Sequence, residues 1–199
     1  VAYDDFLDDW HLENDNRSKI LNFASKSGIE FVVSGDRKMP FKKNSFDMVI
    51  IMDVIEHLHN SPRELLSSLV EIIKPCGYIF ISVPNAVNIR KRFSVMFGRT
   101  NMPSYKQFYW SNGVWRGHVR EYVKDDLTKL SEYLGVHVLE LRGADHMLHK
   151  LPNFIIPFYK SITTIFPSWK DSWIFIARKP KNWSPLSMEN VEMKYGLEE

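Results

Sequence analysis

The sequence predicts an α/β fold in which helices cover a mostly parallel sheet, and two apolar runs with a helical segment between them support this prediction. The first run covers residues 46–52 and the second covers residues 78–83. Both runs are rich in isoleucine or valine and show little polar alternation, which is typical of strands buried on both faces. Two such strands and the helix between them form one βαβ crossover.

The helix of this crossover has a clear beginning in the sequence. Ser61 is the expected cap, Pro62 occupies the first helical position and Glu64 follows in the first turn. Apolar residues then recur at helical spacing, so we predict a helix that runs to Lys74 and packs on the sheet. A turn at residues 75–77 leads into the second strand.

Similar patterns predict the remaining elements. A helical segment ends near Gly28, where a left-handed cap is expected, and Gly135 has the same role after a helix at residues 124–134. Further strands are predicted at residues 30–33, 136–141 and 172–177.

Composition excludes several classes of protein. The chain has 199 residues, of which 44% are hydrophobic and 14% aromatic, so we expect a globular fold and no extended disorder. Its 26 basic and 24 acidic residues are interspersed, which argues against nucleic acid as a partner. The single cysteine, Cys76, excludes an internal disulfide and fits a cytoplasmic location. No apolar run reaches the about 18 residues of a membrane-spanning helix.

The residues that follow the two buried strands are the first candidates for a site. Ligands of open α/β sheets bind beyond the carboxyl ends of the strands. Residues 53–57 and 84–85 occupy that position in the predicted fold.

Four motifs in order carry a resemblance to a known family. They are Ser45-Phe46-Asp47, the segment Asp53-Val54-Ile55-Glu56-His57-Leu58, the turn Pro75-Cys76-Gly77 and the segment Ser82-Val83-Pro84-Asn85. Together they resemble class I S-adenosylmethionine-dependent methyltransferases, and most of all the small-molecule branch that includes the ubiquinone-biosynthesis O-methyltransferases. The resemblance covers residues 28–141. It implies a Rossmann-like three-layer sandwich with an antiparallel final strand and S-adenosylmethionine as the cofactor.

The resemblance also implies a division of the chain. Residues 1–85 would be the cofactor-binding part, 86–123 a lid on the substrate side, 124–178 the C-terminal part of the core, and 179–199 a tail. The family usually begins with a strand and a glycine-rich turn, neither of which occurs here, and the chain starts at Val1. We therefore expect an N-terminal truncation that removes the first strand.

Candidate cofactor contacts in the early part of the chain follow from the family's order of motifs. Asp4, or the adjacent Asp5, would accept hydrogen bonds from the ribose hydroxyls. Asp36 would accept from the adenine amino group, with Arg37 beside it. The alternatives are a solvated acidic start at Asp4 and an ordinary Gly-Asp turn at Asp36.

The end of the strand at residues 46–52 supplies further candidates. Asp53 lies where the family binds the amino acid portion of the cofactor, while Met52 and Val54 would add backbone and apolar contacts. These three residues complete the predicted cofactor set.

Two histidines are the candidate proton acceptors. His57 follows the Asp53 segment, and His118 precedes a helix at the position where the family often has a histidine. An imidazole takes up a proton near neutral pH and can therefore deprotonate a hydroxyl acceptor. The alternative is that Glu56, His57 and His118 only hold loops by hydrogen bonding. No metal site is predicted, because Glu56, His57 and His59 have no further ligand at suitable spacing in the sequence.

Two segments are candidates for recognition of the acceptor. Residues 86–115 interleave aromatic residues with arginine and lysine, which favours substrate binding over simple packing. Residues 151–166 are unusually apolar, and they form either a helix that covers the sheet or a peripheral contact with a membrane.

The predicted function is methyl transfer, at oxygen, to a small-molecule or lipid-linked acceptor. Two other classes stay open: a non-catalytic binding module that keeps the fold without the glycine-rich turn, and a nucleotide-binding enzyme with a similar sheet.

Overall fold

The computed structural model describes residues 1–4, 6, 11, 13–34 and 39–186. The chain divides into two compact units, Val1–Lys42 and Lys43–Glu199. This boundary lies inside the predicted cofactor-binding part, whose functional limits stay a prediction, as do those of the lid and the tail.

The first unit contains a parallel pair of strands, β1 (Ala2–Asp4) and β2 (Phe31–Val33), joined through helix α1 (Asn16–Lys26). Gly28 follows α1 with φ of 65°, so the predicted left-handed glycine is confirmed. The ring of Phe6 stacks on that of Phe31 with centroids 5.3 Å apart, which closes a small apolar core against the strand pair.

The second unit holds the larger sheet. Its strands are β3 (Phe46–Met52), β4 (Ile73–Pro84), β5 (His137–Ala144) and β6 (Ser172–Arg178), and its helices are α2 (Arg63–Ile72), α3 (Ile89–Met96), α4 (Tyr105–Tyr109), α5 (Lys124–Leu134) and α6 (Ile156–Ile165). The strand order is β3-β4-β6-β5. β3 and β4 are parallel, whereas β6 is antiparallel to both of its neighbours, so the predicted antiparallel final strand is confirmed.

The core of this unit lies between the sheet and two of its helices. α2 contacts β3, β4 and α5, and α5 contacts β5 and β6, so both helices pack on the same face of the sheet. Leu66 and Val70 of α2 and Leu127 of α5 are buried at this contact, as their helical spacing predicts. α5 has the predicted bounds and ends at Gly135, whose φ is 62°.

The predicted end of α2 is wrong by two residues. The helix ends at Ile72, and Lys74 already belongs to β4, where its ammonium pairs with Asp47 at 2.9 Å. Pro75 explains the difference, because a proline disfavours helical geometry in the residue before it. Cys76 then has φ of 65°, a left-handed conformation that glycine adopts more readily than other residues.

The predicted lid contains α3, α4 and irregular backbone, and it returns to the sheet at Tyr122. Tyr122 forms a parallel bridge with Asn85, just beyond the end of β4. Among the described residues, no helix combines the length and the apolar character that crossing a bilayer requires.

Candidate functional site

The chain turns sharply at the end of β3, between two exposed apolar side chains. Asp53 has φ of 51°, a left-handed conformation that aspartate tolerates better than most residues. Its N–H donates to the carbonyl of Ser82 at 2.9 Å, and the Ser82 hydroxyl lies 3.4 Å from Oδ1 of Asp53. Met52 and Val54 are exposed on either side of this turn. The turn therefore presents one carboxylate and two apolar groups beyond the strand.

A 3-10 turn at Ile55–His57 follows and carries a buried carboxylate. Glu56 is 0% exposed, and neither of its carboxylate oxygens has a hydrogen-bond partner in the part of the chain that the structure describes. Burial raises the pKa of this carboxyl above its ordinary value, although the charge of His57 opposes that rise. Glu56 is thus a desolvated group with its acceptor sites available.

The return segment of the lid is fastened to this turn through the backbone. The carbonyl of Glu56 accepts hydrogen bonds from the N–H groups of Val119 at 2.7 Å and Arg120 at 3.2 Å. The hydroxyl of Tyr122 lies 3.4 Å from the carbonyl of Ile55. These contacts bring the segment that contains His118 next to the end of β3.

In each histidine of the site, Nδ1 forms a hydrogen bond. Nδ1 of His57 lies 2.8 Å from the carbonyl oxygen of Arg116, and Nδ1 of His118 lies 2.7 Å from Oε1 of Glu121. A carbonyl or carboxylate oxygen only accepts, so Nδ1–H donates in both rings and each neutral ring keeps a lone pair on Nε2. Burial, followed by the charges of His57 and Lys91, lowers the pKa of His118, which favours its neutral form.

Glu56, His57 and His118 converge in space. The two imidazole rings have centroids 4.9 Å apart, and Nε2 of His57 lies 3.9 Å from Oε1 of Glu56. One ligand atom from each of the three residues lies within 4.8 Å of the other two. The charge of Asp53 adds to the upward shift in the pKa of Glu56 and partly opposes the downward shift in the pKa of His118. The Asp53 carboxylate therefore belongs to the same electrostatic environment.

The sequence predicts both histidines as candidates, but it does not predict that they meet Glu56. His118 comes from the return segment of the lid, which is far from Glu56-His57 along the chain.

A cavity of about 210 Å³ lies beside His118. It is lined by residues of the lid and of its return segment, namely Ala86, Asn101, Met102, Pro103, His118, Val119, Arg120 and Glu121. The cavity therefore offers both apolar and charged contacts to a small group near the histidine pair.

The remaining predicted site residues lie in the first unit. Asp4 ends β1, where its Oδ1 accepts the N–H of Phe6 at 2.8 Å and its Oδ2 lies 3.6 Å from Nε2 of His11. Asp36 and Arg37 lie outside the described residues. The assignments of Asp4 to the ribose and of Asp36 and Arg37 to the adenine stay predictions.

Comparison with known families decides the class of this protein. A family model described as a methyltransferase domain matches residues 10–81, which include β3, the Asp53 turn and most of β4. This match confirms, over residues 10–81, the resemblance to the class I S-adenosylmethionine-dependent methyltransferases. The protein is thereby identified as an S-adenosylmethionine-dependent methyltransferase, with S-adenosylmethionine as its methyl donor. This match argues against the alternative that the chain is a nucleotide-binding enzyme of another class.

Solved structures show the same fold for this methyltransferase. It aligns with a methyltransferase of Haloferax volcanii solved with the Trm112 methyltransferase activator (TM-score 0.52, 14% identity, 82% of this chain and 67% of that one). It also aligns with an S-adenosylmethionine-dependent methyltransferase of Thermotoga maritima (TM-score 0.51, 15% identity, 81% of this chain and 69% of that one). A methyltransferase of Bacillus halodurans aligns as well (TM-score 0.51, 18% identity, 84% of this chain and 80% of that one). At these identities the likeness concerns the fold alone. No curated protein matches the chain.

The residues at the end of β3 fit part of this cofactor. A carboxylate accepts hydrogen bonds from amino or hydroxyl groups, and Asp53 is exposed at the turn. Met52 and Val54 are exposed beside it and offer apolar contact to a thioether chain or an adenosine ring. Of the predicted cofactor set, these are the three residues that the second unit supplies.

Proposed function

We propose that this methyltransferase transfers the methyl group to a hydroxyl oxygen of a small-molecule or lipid-linked acceptor. The observation that supports the proposal is the pair His57 and His118, each with a free lone pair on Nε2, at the turn that follows β3. A hydroxyl oxygen must lose its proton as it gains a methyl group, so this acceptor needs a base or an equivalent group.

The protein's residues align and desolvate the acceptor. When bound, S-adenosylmethionine supplies a methyl carbon on a positively charged sulfur, and transfer leaves S-adenosylhomocysteine. Nε2 of His57 is placed to take the hydroxyl proton, while Glu121 holds the ring of His118 in orientation through Nδ1. Glu56 beside the two histidines is buried, so one side of this point is shielded from water, which favours alignment of the two reactants.

The cavity beside His118 limits what enters the site. Its volume of about 210 Å³ is below the roughly 300–1,000 Å³ typical of pockets that enclose a drug-sized ligand. It therefore suits one ring or another small polar group of the acceptor. The rest of a larger acceptor would lie outside, as in a lipid-linked molecule with a reactive head group.

The exposed face of α6 and its preceding loop supports a membrane contact. Tyr159 and Thr163 of α6 are buried, whereas Phe154 is 82% and Phe158 is 68% exposed, and Ile165 is also exposed. A helix with one face packed and apolar residues on the other is suited to the interface of a bilayer. The helix that was expected over residues 151–166 thus has a packed side and a free apolar side.

The lid extends this surface and adds positive charge. The guanidinium of Arg92 lies 5.5 Å from the ring centre of Trp169, which stacks on Phe166 just after α6. Phe93 of α3 and Phe97, directly after this helix, are also exposed. Cations beside exposed aromatic rings favour a surface of anionic lipids, so a lipid-linked acceptor would meet the lid and α6 together.

The acceptor class is tested by methyl transfer from labelled S-adenosylmethionine. We expect label to enter a water-soluble phenol or catechol, or a prenylated phenol presented in vesicles. The same compounds with the hydroxyl already methylated are the matched controls and should stay unlabelled. Transfer to the corresponding amines or thiols, with none to the hydroxyl compounds, would contradict the proposal. Comparison of the water-soluble compounds with the prenylated phenol in vesicles separates a soluble acceptor from a lipid-linked one.

The membrane contact is tested with vesicles that contain anionic lipid. Complete burial of a phenylalanine side chain contributes about 1.5 to 3 kcal/mol, so Phe158→Asp should weaken sedimentation with vesicles by about tenfold or more. Phe23→Asp on α1, where Phe23 is 69% exposed, is the control that removes an exposed aromatic residue elsewhere. Equal vesicle binding by both variants would contradict a contact through α6.

Two further expectations remain proposals. The free thiol of Cys76 fits a cytoplasmic location. The interspersed charges argue against nucleic acid as the acceptor.

A further inference from the structure

The ammonium of Lys91 on α3 forms an ion pair with Glu121, near the end of the lid. It contacts Oε2 of Glu121, whose side chain is 14% exposed. Nζ of Lys91 is itself buried, and apart from this ion pair it has no polar partner among the described residues. The ion pair therefore joins the first helix of the lid to its return segment.

The backbone of Lys91 has a fixed place in the first turn of α3. Asn88 caps this helix, and its side-chain oxygen accepts the N–H of Lys91 at 3.1 Å. The amide nitrogen of Asn88 donates to the carbonyl of Asn85 at 3.1 Å, just beyond the end of β4. Because Asn88 is 3% exposed, the position of Lys91 is set by packed structure.

The carboxylate of Glu121 bridges Lys91 and His118. Its Oε2 meets the ammonium, and its Oε1 lies 2.7 Å from Nδ1 of His118. His118 and Glu121 both line the cavity of about 210 Å³, whereas Lys91 does not. Lys91 therefore reaches the candidate base through Glu121 and has no contact with that cavity.

The ammonium decides which ring nitrogen of His118 carries the proton. Burial, followed by the charge of Arg90, lowers the pKa of Lys91 to about 8, so the charged form still predominates at neutral pH. A positive charge beside a carboxyl group stabilises the ionised form of that group. An ionised carboxylate only accepts hydrogen bonds, so Nδ1 of His118 donates and Nε2 keeps its lone pair.

We propose that Lys91 is a positioning residue of this methyltransferase, which acts through Glu121 to hold His118 as the Nδ1–H tautomer. The inference rests on the proposed function, in which the lone pair on Nε2 of His118 is one of the two that serve a hydroxyl acceptor.

Removal of the ammonium would permit the opposite arrangement of protons. A carboxylic acid at Glu121 has an O–H that can donate to Nδ1 of His118, and the ring proton then lies on Nε2. A protonated Nε2 cannot take a proton from an acceptor. The positive charge of Lys91 disfavours this state because it stabilises the carboxylate.

The tautomer is tested by NMR without donor or acceptor, in the chain labelled with isotopic nitrogen in its histidines. Long-range proton–nitrogen spectra at neutral pH show which ring nitrogen is protonated, and the His118 signals are those that vanish in His118→Gln. We expect Nδ1–H in the wild-type chain and in Lys91→Arg, but a proton on Nε2 in Lys91→Met. Lys129→Met, which breaks an exposed pair with Asp125 on α5, should leave the His118 signals unchanged.

A second variant, Glu121→Gln, keeps the size of the side chain. Lys91 can then pair only with the amide oxygen, which turns the amide NH₂ toward His118 and again places the ring proton on Nε2. Circular dichroism checks that each variant keeps the fold. Retention of the Nδ1–H form in folded Lys91→Met or folded Glu121→Gln would overturn the inference.

Steady-state kinetics give a further readout with the hydroxyl acceptors. In Lys91→Met, kcat should fall by about tenfold or more, as expected for a base in the wrong tautomer, and Lys91→Arg should restore most of it. The KM for the acceptor should stay within about threefold, because Lys91 does not line the cavity.

Two outcomes separate this inference from the proposed function. A raised KM with unchanged kcat in Lys91→Met would mean that Lys91 binds the acceptor, and would overturn the positioning role. The expected tautomers in a chain that methylates amines or thiols but no hydroxyl would support the positioning of His118 and contradict the proposed function.

Discussion

His57→Gln is expected to lower the rate of methyl transfer by about 100- to 10,000-fold, the range that general acid–base groups contribute. Nε2 of His57 lies 3.9 Å from the buried carboxylate of Glu56, and the ring is held by the carbonyl of Arg116. Glutamine has a similar length but presents no imidazole lone pair at that point.

The rate is measured as label transferred from S-adenosylmethionine under saturating donor and acceptor. His137→Gln is the matched control, because His137 is exposed at the beginning of β5. The control should keep wild-type activity. A rate for His57→Gln within about threefold of wild type would show that the histidine only holds the loop.

Phe175→Ala is expected to lower the free energy of unfolding by about 3 to 5 kcal/mol, the range for removing a buried phenyl ring. Phe175 is 0% exposed in β6, where it lies opposite Ile81 of β4 and Leu141 of β5. The substitution leaves a cavity in the middle of the sheet that the paired backbones on both sides cannot close. Urea denaturation followed by far-ultraviolet circular dichroism measures the change.

Phe158→Ala controls for loss of a phenyl ring at a solvent-exposed position. Phe158 is 68% exposed on α6, so its truncation should change the free energy of unfolding by no more than about 0.5 kcal/mol. Equal destabilisation by the two substitutions would mean that Phe175 does not contribute to a packed core.

Local patterns were enough to predict most of the second unit. The helix at Lys124–Leu134 has an amphipathic sequence and ends at a glycine, and the structure has both features. The apolar run that became β3 and the strand at the position of β6 were also anticipated, whereas the antiparallel direction of β6 was implied by the family resemblance. These features depend on hydrophobic periodicity and on turn residues within each segment.

Other features depend on contacts between segments. Helical spacing of apolar residues predicts an end of α2 that is two residues too late. The helix ends earlier because Pro75 disfavours helical geometry in the residue before it. The apolar segment at 151–166 was compatible with covering the sheet or with an exposed surface. In the folded chain α6 has a buried side and an exposed apolar side, because Tyr159 is buried while Phe158 is 68% exposed.

The sequence by itself determined the α/β class, the order of the main elements and the family, since hydrophobic periodicity and the motifs around Asp53 are properties of short segments. Only the tertiary structure decided that the Glu56 carboxylate is buried with no hydrogen-bond partner among the described residues, and that His118 lies beside His57. The physical reason is that the backbone bonds from Val119 and Arg120 to the carbonyl of Glu56 join the lid to the end of β3. Such a contact depends on how distant segments pack, which no pattern within either segment specifies.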